Sequence, residues 1–172
     1  MDSNSLRKLI KISWQTYLNL IKEVHRQVVE SDFLPDHVVA VSRGGLTIGE
    51  RISYLLNKPL VVMAAENWPE GRRASEVKFS RHCVFTTPTV SGKILLVDDL
   101  TETGDTLQHG KEYLVSKFPE ITEIKTATLF HKTSSKFKPD YLGMELGPDE
   151  TGLVPWILKP TENPDIFFQG EE

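Results

Sequence analysis

The chain has very little cysteine and no long apolar segment. Cys83 is the only cysteine among 172 residues, so an internal disulfide and a cysteine-based metal cluster are both excluded. We interpret Cys83 as a buried or half-buried apolar residue. No apolar run approaches the roughly 18 residues that span a bilayer. The first residues, MDSNSLRKLIK, lack the apolar centre of a signal peptide. We therefore expect a cytoplasmic protein without a membrane span.

The chain also has no excess of positive charge. Twenty Lys and Arg residues face 24 Asp and Glu residues, a formal net charge of −4, which does not favour binding to nucleic acid or to anionic membranes. The five histidines show no metal-ligand spacing, and we interpret His82 and His131 as structural. The Gly-x-Ser-x-Gly motif of serine hydrolases and the Gly-Lys-Ser/Thr ending of a P-loop are both absent.

The pattern of apolar residues predicts one α/β domain over residues 1–172, because strand-like and helix-like segments alternate without a linker. Short apolar runs predict strands at 38–41, 60–64, 94–97, 126–130 and 141–145. Ser13 can cap a helix with apolar positions at Trp14, Tyr17, Leu18, Ile21, Val24 and Val28. Further helices are predicted at about 46–56 and from about Asp105 to Phe118. We expect an open, mainly parallel sheet flanked by helices.

The most informative segment is Ile94–Leu107, ILLVDDLTETGDTL. An apolar strand is followed by Asp98 and Asp99, which suit sugar hydroxyls and a hydrated Mg²⁺ ion. The loop then supplies small and hydroxyl-bearing residues, and a helix start follows, an arrangement that suits a phosphate group. The alternative is a strand end that caps a helix, but capping explains neither the second carboxylate nor the loop. The segment predicts a sugar-phosphate site.

A second loop follows the strand predicted at 38–41. Its sequence is Ser42-Arg43-Gly44-Gly45, in which Arg43 supplies positive charge and the glycines let backbone N–H groups approach an anion. Taken alone, the four residues are more typical of an ordinary strand-to-helix turn than of an anion site. Together with the first loop they predict two anion-binding loops at neighbouring strand ends.

These two motifs resemble those of type I phosphoribosyltransferases. The resemblance implies that Asp98 and Asp99 bind Mg²⁺ and the ribose hydroxyls of phosphoribosyl pyrophosphate, and that Glu102 manages a proton near purine N7. It implies a 5′-phosphate site at Thr101, Thr103, Gly104, Asp105 and Thr106. It implies a pyrophosphate site at Ser42, Arg43, Gly44 and Gly45, with a strained or cis Ser42–Arg43 peptide.

The C-terminal third resembles the 6-oxopurine branch of this family. Lys132 follows a predicted strand, and Trp156-Ile157 precedes Pro160. The resemblance implies that Lys132 donates to the purine O6 atom and that Trp156 stacks on the ring. It also implies a backbone contact from Ile157 and a contact from Glu162 to the 2-amino group of guanine. The alternative is a solvated Lys132 and a Trp156 in the core.

The segment at about 65–86 breaks the periodic pattern and mixes charge, Pro, Gly and aromatic residues. We expect a long mobile hairpin or lid, and the alternative is a solvated surface excursion. In the family such a loop is flexible and closes over the substrates. The candidate pyrophosphate contacts in it are Arg72, Arg73, Lys78 and Arg81. A small C-terminal hood is expected at about 146–172.

The predicted function is purine salvage: transfer of the phosphoribosyl group to guanine, xanthine or hypoxanthine, with release of pyrophosphate, by a homodimer or homotetramer. The chain departs from the usual family pattern at Glu102, where Asp is common, and at Asp105, where Gly, Arg or Lys is common. It departs again at Ala65-Glu66, in place of Ser-Tyr, and at Pro160-Thr161-Glu162, in place of Pro-Trp-acid. Two alternatives stay open: a protein that senses phosphoribosyl pyrophosphate or a nucleotide, and a transferase for adenine, orotate or uracil.

Overall fold

The computed structural model describes residues 8–66 and 77–163, which contain eight strands and three helices. The strands are β1 (Leu9–Lys11), β2 (His37–Ser42), β3 (Leu60–Glu66), β4 (Lys78–Phe79), β5 (Gly92–Thr101), β6 (Ile121–Lys132), β7 (Tyr141–Leu146) and β8 (Trp156–Leu158). The helices are α1 (Trp14–Glu30), α2 (Gly45–Leu56) and α3 (Asp105–Lys117).

Six of these strands form the main sheet, in the order β4-β3-β2-β5-β6-β7. All neighbours in it are parallel except β3 and β4, which pair antiparallel. Strand β3 pairs with one side of β2, and β5, which follows later in the chain, pairs with the other side. The strand order therefore reverses between β2 and β5, which is where open α/β sheets bind ligands.

The central strands are buried on both faces because their apolar residues alternate between two clusters. In β5, Leu95 and Val97 pack with α1 and α2, whereas Ile94 and Leu96 pack with α3. The continuous apolar run therefore suits a parallel strand covered by helices on both sides. The expected mainly parallel sheet with flanking helices is confirmed.

Helix α1 begins where the sequence predicts, since the Ser13 side chain accepts a hydrogen bond from the Thr16 N–H at 3.1 Å. Its buried face differs from the predicted stripe. Leu20 is buried, whereas Trp14 and Leu18 are 42% and 39% exposed. The last two lie one turn apart at the edge of the stripe, where they line a surface groove shared with α2.

Two short strands, β1 and β8, were not expected, and a third, β4, lies in the stretch predicted as a hairpin or lid. Strands β1 and β8 pair in a separate two-stranded parallel sheet, so the hood combines residues from both ends of the described chain. Strand β4 pairs Ala65 with Phe79 and Glu66 with Lys78. Two parts of the irregular stretch predicted at 65–86 are therefore strand residues, Ala65 and Glu66 at its start and Lys78 and Phe79 farther along. Arg72 and Arg73 lie outside the described residues, and the closing motion of this loop stays a prediction.

No helix within residues 8–66 and 77–163 is both long enough and apolar enough to cross a membrane.

Helix α2 packs against β2 through a glycine. A Cβ atom on Gly49 would lie 2.5 Å from Ala40 Cβ and 3.3 Å from Ala40 Cα, so this face of the helix has no room for a side chain.

We expect Gly49→Ala to destabilise the protein by about 1–3 kcal/mol, because the clash outweighs the gain of about 1 kcal/mol that Gly→Ala normally brings to a helix. Urea unfolding followed by circular dichroism measures the change. Gly147→Ala is the matched control, since its Cβ would meet nothing closer than the Thr133 hydroxyl at 3.8 Å. A more stable Gly49→Ala protein would contradict this account of the helix–sheet contact.

Candidate functional site

The two predicted anion loops lie side by side, because β2 and β5 are adjacent parallel strands with Ala40 opposite Val97. The first loop packs directly onto the second strand. A Cβ atom on Gly45 would lie 2.6 Å from the Val97 carbonyl oxygen, and one on Gly44 would overlap the Asp99 carboxylate. Both positions therefore require glycine because the backbone itself contacts the acidic strand. The Ser42–Arg43 peptide is cis, as the resemblance to the family implied.

The two aspartates lie inside β5, not beyond its end as the sequence predicted. The strand continues through Thr101 because Leu100 and Thr101 still pair with residues of β6. The Asp99 N–H donates to Asp98 Oδ1 at 2.9 Å. Burial raises the pKa of the Asp98 carboxyl well above its usual range, and the neighbouring charge of Asp99 raises it further.

A residue that the sequence did not single out pairs with the second aspartate. Lys159, which directly follows β8, donates to Asp99 Oδ2 and also lies 2.8 Å from Glu162 Oε1. Lys159 and Asp99 are both buried. Burial on its own lowers the pKa of the Lys159 ammonium, but the charges of Asp99 and Glu162 outweigh it and raise the pKa above its ordinary value. The only sequence signal was the Lys159–Glu162 spacing of three residues.

Tyr17 of α1 lies close enough to Asp99 and Glu162 to be affected by their charges. Its side chain is fully buried, and its hydroxyl has no hydrogen-bond partner among the described residues. Burial raises the pKa of Tyr17, and the charges of Asp99 and Glu162 raise it further. Helix α1 thus places a buried, neutral phenol near these carboxylates.

The predicted 5′-phosphate loop connects β5 to α3. Gly104 has φ of +91° and directly precedes the first helical residue, Asp105. The Thr101 hydroxyl is buried and lacks a hydrogen-bond partner within the described part of the chain. A helix N-terminus, a glycine with a left-handed backbone and an unsatisfied hydroxyl together suit an anion. Phe137 packs against Gly104 and closes the other side of this loop.

Two of the predicted base-binding residues, Lys132 and Trp156, lie close together near the C-terminal end of β6. Lys132 is 4% exposed, and its ammonium donates to Glu102 Oε1. The same ammonium lies 5.5 Å from the centroid of the Trp156 ring. Trp156 is 41% exposed, so part of its ring is open to a ligand. The structure therefore favours neither a solvated Lys132 nor a Trp156 in the core.

Other predicted residues lie farther from this arrangement or take different contacts. The Arg43 side chain is exposed, and the Ile157 side chain is buried in the core. Glu162 contacts Lys159, and its contact to a guanine 2-amino group stays a prediction. His131 is buried, with Nδ1 unpartnered among the residues described, and burial lowers its pKa. Cys83 is half-buried, as expected.

Asp98 and Asp99 fit a hydrated magnesium ion in part. Such an ion needs only one or two carboxylates, with water and substrate oxygens as its other ligands. The described residues contain no group of three or more acidic, histidine or cysteine side chains placed to bind a metal. Because Asp99 already accepts from Lys159, Asp98 is the carboxylate better placed to hold the ion.

Several known proteins are similar to this chain in sequence and in fold. The sequence profile of the phosphoribosyl transferase domain matches residues 13–156. The xanthine-guanine phosphoribosyltransferase of Idiomarina loihiensis is 26% identical over 149 residues, which make up 86% of each chain. The purine phosphoribosyltransferase of Pyrococcus horikoshii is 27% identical with a TM-score of 0.68, covering 91% of this chain and 95% of that one. The xanthine-guanine-hypoxanthine phosphoribosyltransferase of Helicobacter pylori is 25% identical with a TM-score of 0.71, covering 93% and 97%.

We expect Glu102→Gln to lower the free energy of unfolding by about 1–3 kcal/mol, because the buried Lys132 ammonium loses its counter-charge. The double variant Glu102→Gln/Lys132→Met should recover part of the loss, since no unpaired charge remains. Urea unfolding of both variants measures the difference. Glu145→Gln serves as control because the Glu145–Lys138 pair is exposed and should not shift the urea midpoint. An unchanged midpoint for Glu102→Gln would show that the buried pair does not stabilise the fold.

Proposed function

Because this chain belongs to the phosphoribosyltransferase family, we propose that it transfers the phosphoribosyl group of phosphoribosyl pyrophosphate to a 6-oxopurine. The observation that carries the proposal is the direct packing of the Ser42–Gly45 loop onto Asp99. This contact places a loop suited to pyrophosphate beside carboxylates suited to ribose hydroxyls. The Lys132–Trp156 pair lies near the same edge of the sheet, where a base would have to meet the ribose C1 atom.

The reaction forms a bond between a base nitrogen and ribose C1, breaks the C1–oxygen bond to pyrophosphate, and releases the proton of the base. Its transition state carries positive charge on the ribose and negative charge on the leaving group. The protein's task is therefore to hold the two reactants in line and to match these charges. Asp98 and Asp99 face the positive ribose, whereas Arg43 and the Gly44–Gly45 backbone face the leaving pyrophosphate.

Magnesium would be held through Asp98 and would supply further positive charge at the pyrophosphate oxygens. The protein's own part is to fix the ribose 5′-phosphate. The N-terminus of α3 and the backbone at Gly104 suit this phosphate, and the buried Thr101 hydroxyl can donate to it. Asp105 begins α3, where the helix dipole stabilises its negative charge.

The contact between Lys132 and Glu102 matches two neighbouring atoms of a 6-oxopurine. The exocyclic O6 atom accepts a hydrogen bond, and the ring atom N7 lies beside it on the same edge of the purine. An ammonium and a carboxylate that touch each other can therefore meet O6 and N7 of one base. Lys132 would donate to O6, and Glu102 would take the proton that the base gives up. Trp156 would stack on the ring, and Ile157 would contact the base edge through its backbone.

The test of this function is pyrophosphate release from phosphoribosyl pyrophosphate in the presence of Mg²⁺ and one base at a time. The bases are guanine, xanthine, hypoxanthine, adenine, orotate and uracil. Turnover confined to 6-oxopurines supports the proposal. Turnover with adenine, orotate or uracil instead would favour the other transferases. Tight binding of phosphoribosyl pyrophosphate without turnover of any base would favour a sensing protein. Cytoplasmic location and assembly into a dimer or tetramer stay predictions.

We expect adenine to be a poorer substrate than guanine by about ten- to several-hundredfold, because its 6-amino group is a donor and cannot accept from Lys132. Lys132→Met should erode this preference. Trp156→Ala is the matched variant, since it removes stacking from every purine without touching the exocyclic groups and should leave the ratio unchanged. Initial rates of all three proteins with guanine, xanthine, hypoxanthine and adenine decide the matter. Unchanged ratios in Lys132→Met would refute the role of Lys132.

A further inference from the structure

Lys159 is a buried cation next to the carboxylates that are proposed to receive a metal. Its side chain is 7% exposed and that of Asp99 is 9% exposed. The ammonium has two carboxylate partners, Asp99 and Glu162, the second at 2.8 Å. Such a pair is expensive to separate, because each partner would be left buried without its counter-charge.

The surroundings of this pair prevent Asp99 from turning away. The Gly44 backbone lies directly against the Asp99 carboxylate and leaves no space even for a Cβ atom. On the other side, Lys159 directly follows β8, and the Ile12 N–H donates to the Leu158 carbonyl oxygen at 2.9 Å. The lysine is therefore anchored in the hood sheet formed by β1 and β8. The ion pair is therefore held between the pyrophosphate loop and the hood.

An ammonium beside Asp98 and Asp99, the acidic dyad, also opposes the binding of a divalent cation there. Two positive groups a few ångströms apart repel each other, and the repulsion is strong where burial limits screening. The same lysine neutralises charge on Asp99 and Glu162. Without it, the acidic cluster of Asp98, Asp99 and Glu162 would lose this compensating charge, and carboxylate oxygens attract Mg²⁺ and Mn²⁺.

We propose that Lys159 is a positioning residue that reserves Asp99, so that a divalent cation in this site is held through Asp98 and is bound more weakly than the acidic cluster alone would bind it. Asp99 then keeps its place as an acceptor oriented by the hood and does not serve as a metal ligand. The inference rests on the proposed function for the identity of the site. Its test needs no substrate.

The test is Mn²⁺ binding to the purified full chain without phosphoribosyl pyrophosphate or base, measured by electron paramagnetic resonance of free Mn²⁺. We expect Lys159→Met and Lys159→Gln to bind Mn²⁺ about tenfold more tightly than the wild type, because a nearby positive charge is removed. Lys159→Arg keeps the charge and should bind like the wild type. Adding Asp99→Asn to Lys159→Gln should cancel the gain, and Asp98→Asn should weaken binding in the wild type.

Lys93→Met is the control for overall charge. Lys93 is an exposed lysine near the start of β5, at the end of that strand opposite the dyad, so its removal should leave Mn²⁺ affinity within about twofold of the wild type. Circular dichroism checks that each variant is folded. Lys159→Gln retains a hydrogen-bond donor toward Asp99 and serves if Lys159→Met does not fold.

Equal or weaker Mn²⁺ binding by folded Lys159→Gln would overturn the inference, as would a gain that persists without the Asp99 carboxylate. These outcomes are distinct from failure of the proposed function. A wild type that releases pyrophosphate while Lys159→Gln gains no affinity refutes only the role of Lys159. A gain in Mn²⁺ affinity in a protein that turns over no base supports the role of Lys159 and refutes only the transferase activity.

Discussion

The parallel pairing of β2 with β5 is the constraint on which the site depends. It places the Ser42–Gly45 loop against the acidic strand so closely that Gly44 and Gly45 have no room for side chains. The spacing of neighbouring strands is set by backbone hydrogen bonds and is only about 4.8 Å. The two predicted anion loops at these adjacent strand ends therefore lie close enough to contact one ligand together. The helices on both faces of the sheet keep this geometry rigid, because they bury the strands that carry the loops.

Two buried lysines from different parts of the fold balance negative charge within the site. Lys132, at the end of β6, neutralises Glu102, and Lys159, from the hood, neutralises Asp99. Each pair is costly to break, so both tie the C-terminal part of the chain to β5 and its loop. Asp98 has neither lysine as a partner. The raised pKa of its carboxyl is the electrostatic consequence of burial beside a second acid.

The sequence predicted the parts of this structure that depend on local chemistry. Apolar runs located the central strands, Ser13 marked the start of α1, and the two loop motifs marked the neighbouring strand ends of the candidate site. The length of β5 could not be predicted, because Leu100 and Thr101 stay in the strand only through pairing with β6. The β1–β8 sheet was missed since three-residue strands carry no periodic pattern. Lys159 was missed because its partner lies 60 residues away in sequence.

Two departures from the usual family pattern, Glu102 and Asp105, acquire physical roles in the structure, and so does Glu162, the acid that follows the departure at Thr161. Glu102 has one more methylene than the usual aspartate and forms the ion pair with Lys132. Asp105 occupies the first turn of α3, where the helix dipole favours an acid. Glu162 accepts from Lys159 and thereby helps to hold that lysine on Asp99. Each acid is stabilised by a partner or a dipole without any bound substrate. Glu102 and Glu162 are thus compatible with the candidate site, because each is paired with a buried lysine before a ligand arrives.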